Sequence, residues 1–227
     1  MKRRSVFFIL LLTLFLTFSF GKRNEKFKYG VKFGLLWNDF SALSDGANNP
    51  FFSDKISSKT GLIGGVFYDY LLKRNLAVTF GLNYKLLVLK GTYVTDTETP
   101  ILGDFKNYFH CIDIPMGVKL YNMNMNGRPY IGGGLEYERI VGDDKTFSIS
   151  GEGDEDYVES LDTIPGYNSK SNLGPYVSFG FEIPGINYSY ILEFKYVRWM
   201  QDTFEGDLTF YERSKNEFRI LFGLKIK

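Results

Sequence analysis

FKYGVKFGLLWN, residues 27–38, is the stretch that decides the fold. Phe27, Tyr29, Val31, Phe33, Leu35 and Trp37 fall on one face of an extended chain. Lys28, Gly30, Lys32, Gly34 and Asn38 fall on the other. Successive strand side chains point to opposite faces, so this alternation predicts a strand with apolar surroundings on one side only. It runs unusually far, and every apolar position is large. That calls for a broad apolar medium, not a narrow core.

The same pattern recurs along the chain. Leu76, Val78, Phe80, Leu82, Tyr84, Leu86 and Val88 share a face against Ala77, Thr79, Gly81, Asn83 and Lys85. Ile112, Ile114, Met116, Val118 and Leu120 oppose Cys111, Asp113, Gly117 and Lys119. Further alternating runs cover 176–183, 188–196 and 218–227, and two weaker ones cover 61–72 and 129–141. The total is eight. Each spans about 10–13 residues, where a tilted strand needs about 9–11 to cross a bilayer and strands of soluble sheets average about 5–6. After residue 21 no apolar stretch is long enough for a spanning helix. Lipid leaves no partner for an open sheet edge. The expected fold is therefore an all-β, eight-stranded, antiparallel, up-and-down transmembrane barrel.

The connections alternate in length. Long ones are expected at 39–59, 91–108, 142–171 and 200–215, and short ones at 73–75, 122–128 and 184–187. Membrane barrels of this kind have short periplasmic turns and longer outer loops, which would put both termini in the periplasm. Aromatic residues fall at the strand ends: Phe27, Tyr29, Tyr68, Tyr70, Tyr188 and Tyr190 at one end, and Trp37, Tyr137 and Tyr196 at the other. Amphipathic rings prefer such interfaces.

The N-terminus reads as an export signal. Lys2, Arg3 and Arg4 precede a nearly continuous apolar run, Val6–Phe18, and Ser19 and Gly21 supply small residues for cleavage. The expected division is a signal peptide at 1–21 and a barrel domain at 22–227. Loss of the signal would leave 24 basic and 26 acidic residues, with no basic excess to attract nucleic acid. With Cys111 the only cysteine, no intrachain disulfide can form.

Alternation assigns a charged inner face. Lys28, Lys32, Asp69, Lys85, Asp113, Lys119, Glu136, Glu138, Glu182, Glu193, Lys195, Arg219 and Lys225 all point inward in this reading. An eight-stranded barrel is filled by its own side chains, and buried charges must be paired. The expectation is a network of ion pairs that plugs the lumen; the alternative is an ion or proton path. Of the charges, only Arg139 is assigned to the lipid face. It lies near the outer rim, where a phosphate-bearing headgroup could pair with it.

Chemistry is sparse. His110, the single histidine, lies at the outer end of the fourth strand. Some eight-stranded barrels are lipid-modifying enzymes with His, Ser and an acid near the outer rim, but no such set stands near His110 in sequence. Cys111 is read as an inert inward residue. Segment 142–171 is acidic, with Asp143, Asp144, Asp154, Glu155 and Asp156 among its carboxylates. Its spacing matches no calcium loop. A solvated surface, a docking surface for a partner and an oxygen-rich loop that holds calcium are the three readings. No catalytic set, cofactor motif or metal site is expected.

Three segments resemble a known family. YGVKFGLLWNDF (29–40) resembles an opening strand of the form GVKxGLNxSNF. IDIPMGVKLY (112–121) resembles LEIPLLLKY, matching at Ile114-Pro115 and Lys119-Leu120-Tyr121. RPYIGGGLEY (128–137) resembles PYLxxGxxxGY. These mark the PorT-like outer-membrane barrels common in Bacteroidetes-type bacteria. The resemblance implies an eight-stranded barrel in the outer membrane and supplies no catalytic motif. It also points to a structural or interaction role, as an accessory of a protein-secretion or surface machine. Lipid and other envelope proteins are then the candidate partners. The chain departs from the common terminal aromatic by ending Lys225-Ile226-Lys227.

Overall fold

The structure is a computed structural model. It describes residues 26–42, 51–52, 56–58, 60–95, 102–123, 127–150, 171–201 and 211–226. The expected signal peptide lies outside them. The strands are β1 (Phe27–Ala42), β2 (Phe51–Phe52), β3 (Ile56–Ser58), β4 (Gly61–Lys73), β5 (Leu76–Thr95), β6 (Leu102–Tyr121), β7 (Arg128–Ser150), β8 (Ser171–Pro184), β9 (Tyr188–Arg198) and β10 (Tyr211–Ile226). No helix occurs among the described residues.

Ten segments make eight walls. The short β2 and β3 both pair with β5, above the part of β5 that pairs with β4, so they continue the β4 wall upward. Every neighbouring pair is antiparallel. β1 pairs with β10 and β4, and the β5–β6 pairing closes the ring. Closure leaves no free edge for lipid to solvate.

The faces divide as alternation requires. Phe33, Leu62, Ile131, Val177, Tyr190 and Phe218 are among the large apolar residues exposed on the outside, while the charged set is buried inside. The two weakly patterned walls are now in register. β4 turns Ile63, Phe67 and Asp69 inward, and β7 turns Glu136, Glu138 and Ile140 inward.

Six strands are longer than expected. β5 and β6 have 20 residues each and β7 has 23, while β1 and β10 have 16 each and β8 has 14, so that β1 runs into the expected loop 39–59 and β10 takes up 211–215 of the expected loop 200–215. Most of the expected loop 91–108 is a paired hairpin that continues to Val94↔Leu102. The first part of the expected loop 142–171 is likewise strand, paired with β6 up to Ser150↔Leu102. The physical reason is that backbone pairing continues where the apolar belt stops. Above it, at 102–108 and 143–150, polar residues occur at both alternating positions, so period-two hydrophobicity no longer reports the strand.

Two irregularities shape the wall. At His110/Cys111 the β6–β7 register shifts and Val141 becomes an extra residue, a bulge of the kind that re-aims side chains at barrel rims. At Pro115 the β5–β6 ladder pauses between Phe80↔Met116 and Asn83↔Asp113. Proline has no N–H to donate there. Gly81 faces it, and a Cβ on Gly81 would meet the Pro115 ring at 2.9 Å.

Candidate functional site

The lumen is filled in layers. Towards the loop end, Leu36, Leu87, Leu89, Phe109, Cys111 and Ile140 form an apolar layer. A second apolar group, with Phe67, Ala77, Tyr121, Tyr130 and Ile191, lies towards the turn end. The charged residues are arranged in two groups.

The upper group is built on Arg219. Its Nη1 donates to Glu136 Oε1 at 2.5 Å and its Nε donates to Glu217 Oε1 at 2.6 Å. Its Nη2 stands 3.1 Å from Asp113 Oδ2 but off the hydrogen-bonding direction, a contact of charge alone. Lys195 pairs with the other oxygen of Glu136. Lys85 pairs with Glu138 and lies 3.1 Å from Glu217 and 3.5 Å from Asp113. Its ammonium also sits 4.9 Å over the Trp199 ring, whose indole N–H donates to Glu217 at 3.4 Å.

The lower group joins Asp69 to two lysines. Lys119 donates to Asp69 Oδ1 at 2.8 Å and Lys225 to Oδ2 at 3.3 Å, while the Tyr121 hydroxyl donates to Oδ2 at 3.2 Å. Lys225 also pairs with Glu182. Lys32 and the Tyr130 hydroxyl both donate to Glu193 Oε2 at 2.5 Å.

Partners in these groups come from far apart in the chain. Lys32 and Glu193 are 161 residues apart, and Lys225 and Asp69 are 156. Closing the barrel is what assembles the network. A small cavity of about 30 Å³ lies beside it, lined by Lys32, Phe67, Gly81, Pro115, Tyr176 and Lys195 among others. It has room for about one or two water molecules.

Twelve of the thirteen charges assigned inward from sequence join these two groups: Lys32, Asp69, Lys85, Asp113, Lys119, Glu136, Glu138, Glu182, Glu193, Lys195, Arg219 and Lys225. Lys28 does not. It is half-buried and has no ion-pair partner among the described residues. Glu138 is the partner of Lys85. Glu217 was missed, although it is wholly buried and bonds both Arg219 and Lys85. Carrying the β10 alternation two residues back from Arg219 would have found it. Asp143 and Asp144 lie in β7, opposite Phe109 and Tyr108, and not in a loop. Asp154, Glu155 and Asp156 lie outside the described residues.

The loop-side rim holds a second constellation, on the outer surface. The Tyr84 hydroxyl meets His110 Nδ1, and His110 Nε2 lies 3.0 Å from Asp144 Oδ2. Sequence spacing hid this set because its members stand on β5, β6 and β7. No group of acids, histidine and cysteine able to hold a metal occurs among the described residues.

The comparison that decides the family is a match over residues 18–205 to the model described as outer membrane protein beta-barrel domain. The chain belongs to that family. This outer-membrane barrel therefore sits in the outer membrane with its apolar face in lipid. It is similar in fold to OprG from Pseudomonas aeruginosa (15% identity, TM-score 0.43, covering 88% of this chain and 95% of that one). It is similar also to Neisserial surface protein A (15%, 0.41, 88% and 96%) and to AlkL (9%, 0.46, 88% and 88%). No match was found among curated proteins.

Proposed function

We propose that this outer-membrane barrel is a structural and interaction protein: a plugged membrane anchor that carries strand hairpins above the bilayer for other envelope proteins to dock on. A PorT-like accessory role in a protein-secretion or surface machine is the form of this function that the sequence resemblance favours. The observation that carries the reading is the filled lumen. The described interior is closed by paired charges and two apolar layers, which argues against a conduit for solutes or ions. What extends instead is the β5–β6–β7 wall. From Val88, its last described outward apolar residue, to Val94, β5 runs six residues further, about 20 Å of strand. Both termini are proposed to be periplasmic. The first and last strands pair at Tyr29↔Ile226, the end that also carries the short turns near 74–75 and 185–187.

The test is co-purification from native membranes in mild detergent, with the intact protein beside a variant in which a short Asn-Gly turn joins Leu89 to Asn107. Stoichiometric envelope partners held by the intact protein and lost from the shortened one are expected. A protein that emerges alone from both refutes the docking role. Planar-bilayer recording tests the conduit. Steady conductance that disappears in Glu193→Gln or Lys195→Gln would replace this reading.

A further inference from the structure

On the outer surface, β6 and β7 are apolar up to Ile112 and Tyr137 and carry His110, Arg139, Gly142 and Asp144 above that, while β5 stays apolar to Val88. Arg139 stands in the row Tyr84–Ile112–Arg139–Ser171, which crosses four adjacent strands. Below it stand Leu135, Met116, Phe80 and Val177, all exposed to lipid. Arg139 is exposed in this row and has no ion-pair partner among the described residues. The nearest acid on the same outward face of β7, Asp144, is engaged with His110. Gly142, opposite His110, keeps the surface open: among the described residues, the only atom within 4 Å of the place of its absent Cβ is His110 Cδ2, at 3.9 Å. Further up the same face Lys106 lies over the Tyr108 ring.

An arginine on the lipid side of a barrel needs an anion or water. At the midplane it costs about 2–4 kcal/mol, and near the interface little. The planar guanidinium matches a phosphate bidentately. In the lumen Arg219 is paired with three carboxylates. Outside, Arg139 is exposed at the polar margin of the belt, with no ion-pair partner among the described residues, beside rings of the kind that favour a bilayer interface. We infer that the Arg139 face of the loop-side rim, bounded by Tyr84 and His110, is a binding site for the phosphate group of a membrane lipid. The apolar belt directly beneath supplies the bed for the acyl chains, which a free anion would not use.

The experiment uses the full chain, reconstituted in vesicles of phosphatidylcholine alone or mixed with phosphatidylglycerol. Lipid carried through gentle extraction is then measured by native mass spectrometry. The intact protein is expected to retain the anionic lipid over the zwitterionic one. Both lipids carry the phosphate, but the choline ammonium offsets its charge in phosphatidylcholine, so the unbalanced phosphate of phosphatidylglycerol should be preferred by about tenfold, the worth of one charge-assisted contact. Arg139→Gln should bring the preference close to one, and Arg139→Lys should keep part of it. Arg198 is the control, being outward, exposed and two strands away, and Arg198→Gln should leave the preference intact. Equal losses in Arg139→Gln and Arg198→Gln would mean diffuse rim charge and overturn the site. Displacement of the lipid by inorganic phosphate at similar concentration would overturn the lipid assignment. If Arg139→Gln does not form a heat-modifiable barrel, Arg139→Lys decides: an undiminished preference for the anionic lipid would reject the bidentate geometry.

Discussion

Replacing Arg219 with methionine keeps most of its volume and removes the charge that holds the upper lumen together. Arg219 is almost completely buried and faces three carboxylates, of Glu136, Glu217 and Asp113. At about 3 Å and an effective dielectric near 20, each contact is worth roughly 5 kcal/mol before desolvation. Desolvation cancels much of that, so the pair energies do not add up to a net stability. The loss is nonetheless large, because the substitution leaves four carboxylates (Asp113, Glu136, Glu138 and Glu217) facing only Lys85 and Lys195. Breaking a buried pair from one side costs about 3–5 kcal/mol, roughly a hundredfold to several-thousandfold in the folding equilibrium. Urea unfolding in phosphatidylcholine vesicles measures it, and Trp199, bonded to Glu217, reports on the cluster itself. A clear drop in urea midpoint and loss of the heat-resistant gel band are expected. Arg219→Met combined with Glu217→Gln should recover part of the loss by restoring balance. An Arg219→Met protein within about 0.5 kcal/mol of the parent would refute the reasoning. It would mean that water screens the cluster and that the lumen is open.

Three further outcomes follow from the same geometry. Gly180→Val should destabilise by about 1–3 kcal/mol, because even its Cβ would meet the Tyr130 ring and hydroxyl at 2.5 Å and push that hydroxyl off Glu193; the same urea titration checks this. Lys225→Met should cost several times more than Lys28→Met, since Lys225 holds Asp69 and Glu182 while Lys28 is half-buried and unpaired among the described residues; the second should fall below about 1 kcal/mol. Phe109→Ala should cost about 3–5 kcal/mol by hollowing the upper apolar layer, yet the charged groups below it should keep bilayer conductance at background.

The barrel was legible because the bilayer imposes a single rule on every strand: an apolar residue at each outward position. Phe33, Phe80, Met116, Phe179 and Phe222 obey it so consistently that their neighbours Lys32, Thr79, Gly117, Ser178 and Gly223 fall inside by default. Where the rule lapses, so does the reading. Asp143 and Asp144 looked like loop because strand pairing continues above the lipid, where nothing selects for apolar side chains. Glu217 was passed over for a related reason, since Asn216, its outward neighbour, lies at the rim and is polar. The inward side of Lys32, Asp69 and Lys225 could be read one strand at a time. Their partners could not, because pairing depends on the stagger with which eight walls close. The Tyr84–His110–Asp144 chain was hidden for the same reason, and a bulge at Val141 sits within it.

The ionic filling of the lumen has a logic that stability alone does not supply. A buried ion pair is seldom better than a well-packed apolar pair of the same volume, so leucines could have filled this interior at no thermodynamic loss. But a strand apolar on both faces would read as a continuous hydrophobic segment, and segments of that length are taken up by membranes as helices. Alternating Lys, Glu and Gly with Phe, Leu and Tyr keeps the mean hydropathy of the chain at −0.15, although the closed barrel shows lipid an apolar wall. The charges thus serve two stages. Along the separate strands they keep the chain polar enough not to settle in lipid as a helix. In the closed barrel they find partners more than a hundred residues away, as Lys32 finds Glu193, and only the correct stagger brings those partners together. The network is therefore a test of register as well as a plug.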